Sequence, residues 1–181
     1  MENRFNKKIS ASHFRDKKIS WKEFSFAVEF DDSSEWREDL RKNIYLRGFL
    51  DNLYLRPSCY QCHFKTKNRI SDITLADFWG IQYVKPEFYS DRGVSLCCIN
   101  SQNGQLLFNA IGNEVFYECV NFDDAINYNS AYTQSAKMNR MRSWFFEHLE
   151  KTPIEKNISN SLSPNIITRI LVKINRKKYG V

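Results

Sequence analysis

Every second residue from Phe24 to Phe30 is large and apolar (Phe24, Phe26, Val28, Phe30), with Ser25, Ala27 and Glu29 between them. Side chains of a strand alternate between its two faces, so a period of two predicts a strand over about 21–30 with one face in a core. Beyond the turn-forming Asp31, Asp32, Ser33 and Ser34, the interval lengthens. Trp36, Leu40, Ile44, Phe49 and Leu53 recur at helical spacings, which predicts a helix capped by Ser33 or Ser34 and running towards Leu53 or Tyr54, with Gly48 bending it or ending it early. A chain that changes period in this way is committed to strands and helices sharing a core.

The remainder alternates in the same manner. Ile70 to Gly80 predicts a short strand that stops at a glycine, and the polar stretch from Tyr83 to Gly93, which holds Pro86, predicts an irregular loop. Val94 to Asn100 is nearly continuous in apolar residues, the pattern of a strand at the centre of a sheet. Asn103 and Gly104 predict a turn, Gln105 to Ile111 a short helix, and Val115 to Val120 another strand. Further helices are expected at about 122–129 and 138–151, the second built on Met138, Met141, Trp144, Phe145 and Leu149. The fold class that follows is α/β or α+β, a mixed sheet with flanking helices, and the strand order does not follow from the pattern. One domain is expected over 1–151, then a linker over 152–164 rich in Ser, Asn and Pro. A basic amphipathic tail is expected over 165–181, carrying Ile166, Ile167, Ile170, Leu171 and Ile174 ahead of Arg176, Lys177 and Lys178.

With 181 residues, 42% of them hydrophobic, the chain has material for one core. No run of about 18 uncharged apolar residues occurs, and Met1, Glu2, Asn3 and Arg4 open no signal peptide, so a cytoplasmic protein is expected. Five cysteines, an odd number, make a poor disulfide framework in such a compartment. The net charge of +6 is concentrated at the two ends, in Lys7, Lys8, Arg15, Lys17 and Lys18 and again in Lys173 to Lys178. No helix-turn-helix, zinc-finger or RNA-binding aromatic signature accompanies it, and nucleic acid is not an expected partner.

Cys59 and Cys62 form a Cys-x-x-Cys unit, a spacing that lets two thiolates from one turn reach the same metal or cluster. It is half a site, since tetrahedral zinc or a four-iron cluster takes four protein ligands and there is no second pair at this spacing. A thioredoxin-like redox pair and a pair with no metal are the alternatives. Adjacent Cys97 and Cys98 would point to opposite faces of a strand, and with Cys119 they are expected to be small buried hydrophobes. His63 follows Cys62 too closely to share its metal easily. Like His13 and His148, it is expected to face solvent or hydrogen-bond locally.

The run Leu55, Arg56, Pro57, Ser58, Cys59, Tyr60, Gln61, Cys62, Phe64, Lys65, followed by Arg69 and then Ser71 to Gly80, closely resembles the C-terminal domain of the coenzyme F(420) hydrogenase/dehydrogenase beta-subunit family. The branch it looks like is bacterial and associated with polysaccharide biosynthesis. Gly93 to Leu96, Asn100, Gly104, the segment from Phe14 to Phe24, and Arg142 with Phe145 and Phe146 extend the likeness over about residues 10–150. The resemblance implies an oxidoreductase passing electrons between a flavin such as FAD and 4Fe-4S clusters. Cys59 and Cys62 would be cluster ligands, and Asp72, Thr74, Asp77, Trp79 and Gly80 would lie near the cofactor. The bland alternative for Asp77 and Thr74 is capping and turn formation. Ala76 departs from the family, which usually carries glycine there. Full-length relatives begin with a ferredoxin-like, cysteine-rich part, so a separate ferredoxin-like polypeptide is the expected partner. Two other readings are a scaffold domain without cofactors and a small zinc-binding adaptor. The tail is expected to pack on protein or to touch an anionic membrane at its inner face.

Overall fold

A computed structural model describes residues 1–163 together with Ile166, Ile167 and Ile170. The fold is α+β with small antiparallel sheets. In chain order the elements are α1 (Glu2–Phe5), β1 (Ile9–Asp16), β2 (Ser25–Phe30), β3 (Glu35–Asp39), α2 (Ile44–Leu50), α3 (Pro57–Tyr60), β4 (Ile73–Asp77), α4 (Ile81–Val84), β5 (Ser95–Ile99), α5 (Gln102–Ile111), α6 (Phe122–Asn127), α7 (Ser130–Thr133), α8 (Arg142–Glu147) and α9 (Ile154–Leu162). They fall into two compact units. The first comprises Met1–Ile19, Glu23–Tyr60 and the chain from Lys137 onward, the second Ser20–Lys22 and Gln61–Ala136.

In the first unit β2 lies between β1 and β3, both antiparallel to it. The expected strand forms, but the expectation that only one of its faces is buried is corrected: Ser25 and Ala27 on one face are buried as well as Val28 and Phe30 on the other, and Phe26 is half-buried against Phe14 and Trp36. The helix expected from Ser34 is corrected over its first half, where β3 pairs with β2 along its full length. Asp31–Ser34 is a hairpin turn. Phe30 N–H donates to the Ser34 carbonyl at 2.9 Å, Ser33 N–H donates to the Phe30 carbonyl at 3.0 Å, and Ser33 sits at φ 63°. The cap of the helix is instead Asn43, whose side chain accepts from Leu46 N–H at 3.0 Å and donates to Glu38 at 3.0 Å. A core of Leu53, Met141, Phe145 and Ile158 joins α8 and α9 to the end of α2. The stretch expected to be a linker therefore carries a helix. Its buried face includes the polar Asn157 and Ser161, and Asn157 Nδ2 donates to the Phe145 carbonyl at 2.9 Å, which hides the helical stripe from a hydrophobicity pattern.

In the second unit β4 and β5 pair in the register Ile73↔Ile99 to Asp77↔Ser95. Phe78, Ile81, Leu96, Cys98, Ala125, Ile126 and Tyr132 form its core. Two expectations are corrected here. Val94–Asn100 does not lie at a sheet centre, because β5 has only β4 beside it among the described residues. Val115–Val120 is not a strand of either sheet. The expected tail residues Leu171, Ile174, Arg176, Lys177 and Lys178 lie outside the described residues. Among the described residues no helix is long and apolar enough to cross a membrane.

Candidate functional site

Cys59 is placed by α3, whose first residue Pro57 supplies a backbone angle suited to a helix start. Its N–H donates to the Arg56 carbonyl at 2.9 Å. The turn is anchored by Tyr60, whose hydroxyl donates to the Asn52 carbonyl at 2.8 Å and accepts from Arg142 at 3.2 Å. Cys62 belongs to the second unit, where its N–H donates to Ser135 Oγ at 3.0 Å and its carbonyl accepts from Lys65 N–H at 3.3 Å. Both thiols are half-buried. The two cysteines thus sit on short turns tethered by long-range hydrogen bonds, and each thiol is left out of those bonds. Among the described residues no group of three or more His, Cys, Asp or Glu is arranged to hold a metal ion. Two thiols do not fit a four-ligand cluster by themselves, so a cluster on Cys59 and Cys62 requires ligands from elsewhere.

The segment near the expected flavin is tied into the second unit. The Asp72 carboxylate accepts from Ser101 Oγ, and Ser101 caps α5 by accepting from Gly104 N–H at 3.1 Å. The Asp72 carbonyl accepts from Asn100 N–H at 2.8 Å, and a Cβ at Gly104 would collide with that same carbonyl oxygen. Thr74 Oγ1 accepts from Asn100 Nδ2 at 3.0 Å. Asp77 ends β4, where its carbonyl accepts from Trp79 N–H at 3.1 Å, and it makes further interactions. Trp79 lies against Trp21 with ring centroids 4.4 Å apart. Gly80 adopts φ 86°, and the space beside its Cα is filled by the Tyr128 ring. Asp72, Thr74 and Gly80 therefore each have a structural task that needs no cofactor.

A cavity of about 760 Å³ in the second unit has no counterpart among the sequence expectations. Its floor is apolar and includes Phe78, Ile81 and Leu96, while Lys67, Arg69, Lys85 and Glu118 supply the charge. None of the five residues expected near a cofactor lines it. The closeness of Lys65, Lys67 and Arg69 after Cys62 is the sequence signal for a basic wall. Arg69 donates to the carbonyls of Phe64 and Tyr132, lies over the Tyr132 ring at 4.3 Å, and keeps a buried Nε with no hydrogen-bond partner among the described residues. Lys67 pairs with Asp123 at 2.5 Å, and Lys85 stands 3.5 Å from Glu87 and 3.8 Å from Glu118.

Of the remaining cysteines, Cys98 is buried, Cys97 half-buried and Cys119 exposed, which corrects the expectation that all three are buried hydrophobes. Burial pushes the Cys98 thiol up in pKa against the opposing pull of the Tyr132 hydroxyl and Arg69, and burial also raises that of Cys97.

No curated protein and no solved structure is detectably similar to the chain. Residues 3–125 match the family described as the C terminus of the beta subunit in coenzyme F420 hydrogenase/dehydrogenase, a span that contains β1 to β5, both cysteines of the Cys-x-x-Cys unit and the Asp72–Gly80 segment, and the chain belongs to that family.

Proposed function

We propose that this chain is the C-terminal component of an iron–sulfur flavoprotein oxidoreductase. Cys59 and Cys62 would give two ligands to a 4Fe-4S cluster, and a ferredoxin-like polypeptide would supply the others. The observation that carries the reading is the family membership over a span that keeps the Cys-x-x-Cys unit, together with two thiols left out of the hydrogen bonds that tether their turns. The flavin belongs to the assembled protein in this reading, with Trp79 and Asp77 at the end of β4 as the residues of this chain nearest to it.

A non-catalytic interaction domain is the second reading. It is favoured by the structural tasks that already occupy Asp72, Thr74 and Gly80. Anaerobic co-expression with the product of the adjacent upstream gene, where the ferredoxin-like polypeptide is sought, separates the two. The oxidoreductase reading expects a co-purified complex with absorbance near 400 nm, about four irons per cluster and a flavin spectrum. A complex without iron or flavin supports the interaction domain, and stoichiometric zinc without iron supports an adaptor.

A further inference from the structure

The ladder between β4 and β5 fixes which way each peptide group of β5 points. Asn100 N–H donates to the Asp72 carbonyl at 2.8 Å and Phe78 N–H donates to the Val94 carbonyl at 2.8 Å. Both pairs continue the register Ile73↔Ile99 to Asp77↔Ser95, and hydrogen-bonded pairs alternate along an antiparallel ladder. Val94, Leu96, Cys98 and Asn100 therefore turn their peptide groups towards β4. Ser95, Cys97 and Ile99 turn theirs away, and no hydrogen bond reaches those N–H and C=O groups among the described residues.

The segment Phe116–Val120 also has no backbone hydrogen bond among the described residues. The cavity lies against both. It is lined by every residue from Val94 to Asn100 and every residue from Phe116 to Val120. A strand that showed the cavity one face would line it mainly with alternate residues, so the consecutive lining by Val94–Asn100 agrees with the outer edge of β5 facing the cavity.

We propose that this cavity is a strand-addition site, in which an extended acidic segment of the partner polypeptide pairs with the outer edge of β5. The lining selects the charge. Among the charged lining residues Lys67, Arg69 and Lys85 outnumber Glu118; Lys67 is paired with Asp123 and Lys85 lies near Glu87 and Glu118, which leaves Arg69 as the cation without a carboxylate partner among the described residues, its Nε buried and unbonded. The floor requires apolar side chains on the inward-facing positions, where they would cover the core around Phe78 and Leu96. Main-chain hydrogen bonds to the edge give affinity and the alternate side chains give selectivity, as in other sheet-edge recognition. The site stands on the geometry of the second unit, and rests on the proposed oxidoreductase role only for the identity of its partner.

The test needs neither iron nor flavin, so it fails or succeeds separately from the oxidoreductase reading. Amide hydrogen exchange is followed by NMR on the full chain, with and without a seven-residue synthetic peptide alternating valine and glutamate. In the free chain the amides of Ser95, Cys97 and Ile99 exchange at least about tenfold faster than those of Leu96 and Cys98, and saturating peptide slows the three edge amides by about tenfold. A peptide with lysine in place of glutamate leaves them unchanged. Cys97→Pro abolishes the peptide's effect while Leu96 and Cys98 stay protected, because the lost N–H is an edge donor. Lys85→Glu, which leaves the edge intact, weakens binding about fivefold or more, as charge-assisted contacts do. Edge amides already protected in the free chain would overturn the proposal in favour of Phe116–Val120 pairing with β5. Protection that grows with protein concentration alone would overturn it in favour of a second copy. Equal protection by both peptides, or none by either, would also overturn it.

Discussion

The two sheets of this protein make opposite use of their most apolar strand. In the first unit the alternating strand β2 is covered on both edges, and the outer strands carry charge: Arg37 bridges Asp16 at 3.2 Å and Glu35 at 2.5 Å, and the β1 register shifts twice along its length. Charge and irregular register are the devices that protect sheet edges from unwanted pairing. In the second unit the near-continuous apolar strand β5 has a partner on one side among the described residues. Two-stranded sheets are marginal alone, and this one is pinned by the Asp72–Ser101–Gly104 contact and by Asn100 on Thr74. An apolar run reports what covers a strand's faces, not how many strands pair with its edges. Only Leu96 and Cys98 of β5 are buried, and among the described residues the cavity lies along the edge that β4 leaves open.

The largest destabilisation is expected from Gly80→Ala in the second unit. The substitution meets both an unfavourable positive φ and the Tyr128 ring, and together these cost about 4 kcal/mol. Urea unfolding should show it, with Gly112→Ala as the control, since a Cβ there meets nothing within 4 Å. Equal stability of the two variants would remove the argument for a tightly fitted turn after β4. In the first unit Leu53→Ala, at a fully buried side chain, is expected to cost about 3 kcal/mol by the same measurement. A loss below about 1 kcal/mol would mean that the site collapses around the missing side chain.

Thiol chemistry sharpens the contrast within the second unit. Cys119 is exposed, whereas Cys98 is buried with its thiol pKa raised by burial. Iodoacetamide followed by peptide mass spectrometry should label Cys119 at least about tenfold faster than Cys98. Labelling of Cys98 first would show that the core around Leu96 opens readily.

The smallest effect concerns the first unit's hairpin turn. Lys7 and Ser34 hold the Asp32 carboxyl down to about 2. A depressed carboxyl pKa contributes stability above the unfolded value of about 4, and that contribution disappears as pH falls through the folded value. The stability difference between the native chain and Asp32→Asn should therefore be present at neutral pH and vanish between about pH 4 and 2. The effect is small because the pair is on the surface, at 2.6 Å with both side chains more than a third exposed. A difference that persists unchanged at pH 2 would assign it to the turn's backbone rather than to the charge.

The sequence is legible where one physical term dominates. Alternation at Phe24–Phe30 predicts β2, and the apolar run at Val94–Asn100 predicts β5. β1 escapes because its residues are mostly exposed and carry no alternation. β3 reads as a helix because Trp36 and Leu40 are four residues apart, a spacing compatible with either period. α9 is hidden by the buried polar side chains of Asn157 and Ser161. At the candidate site the Cys59–Cys62 spacing is local and visible directly. The cavity is built from residues between Lys67 and Ala125 that only the fold brings together, so no local pattern announces it.

In the proposed oxidoreductase Cys59 and Cys62 are shared ligands of a cluster completed by another polypeptide. Iron content of the anaerobically co-purified complex tests it most directly, measured for Cys59→Ser, Cys62→Ser and Cys119→Ser under identical loading. The expected result is that each of the first two lowers iron by about one cluster's worth, roughly four atoms per complex, while Cys119→Ser retains it. Unchanged iron in Cys59→Ser and Cys62→Ser, or equal loss in all three, would contradict it.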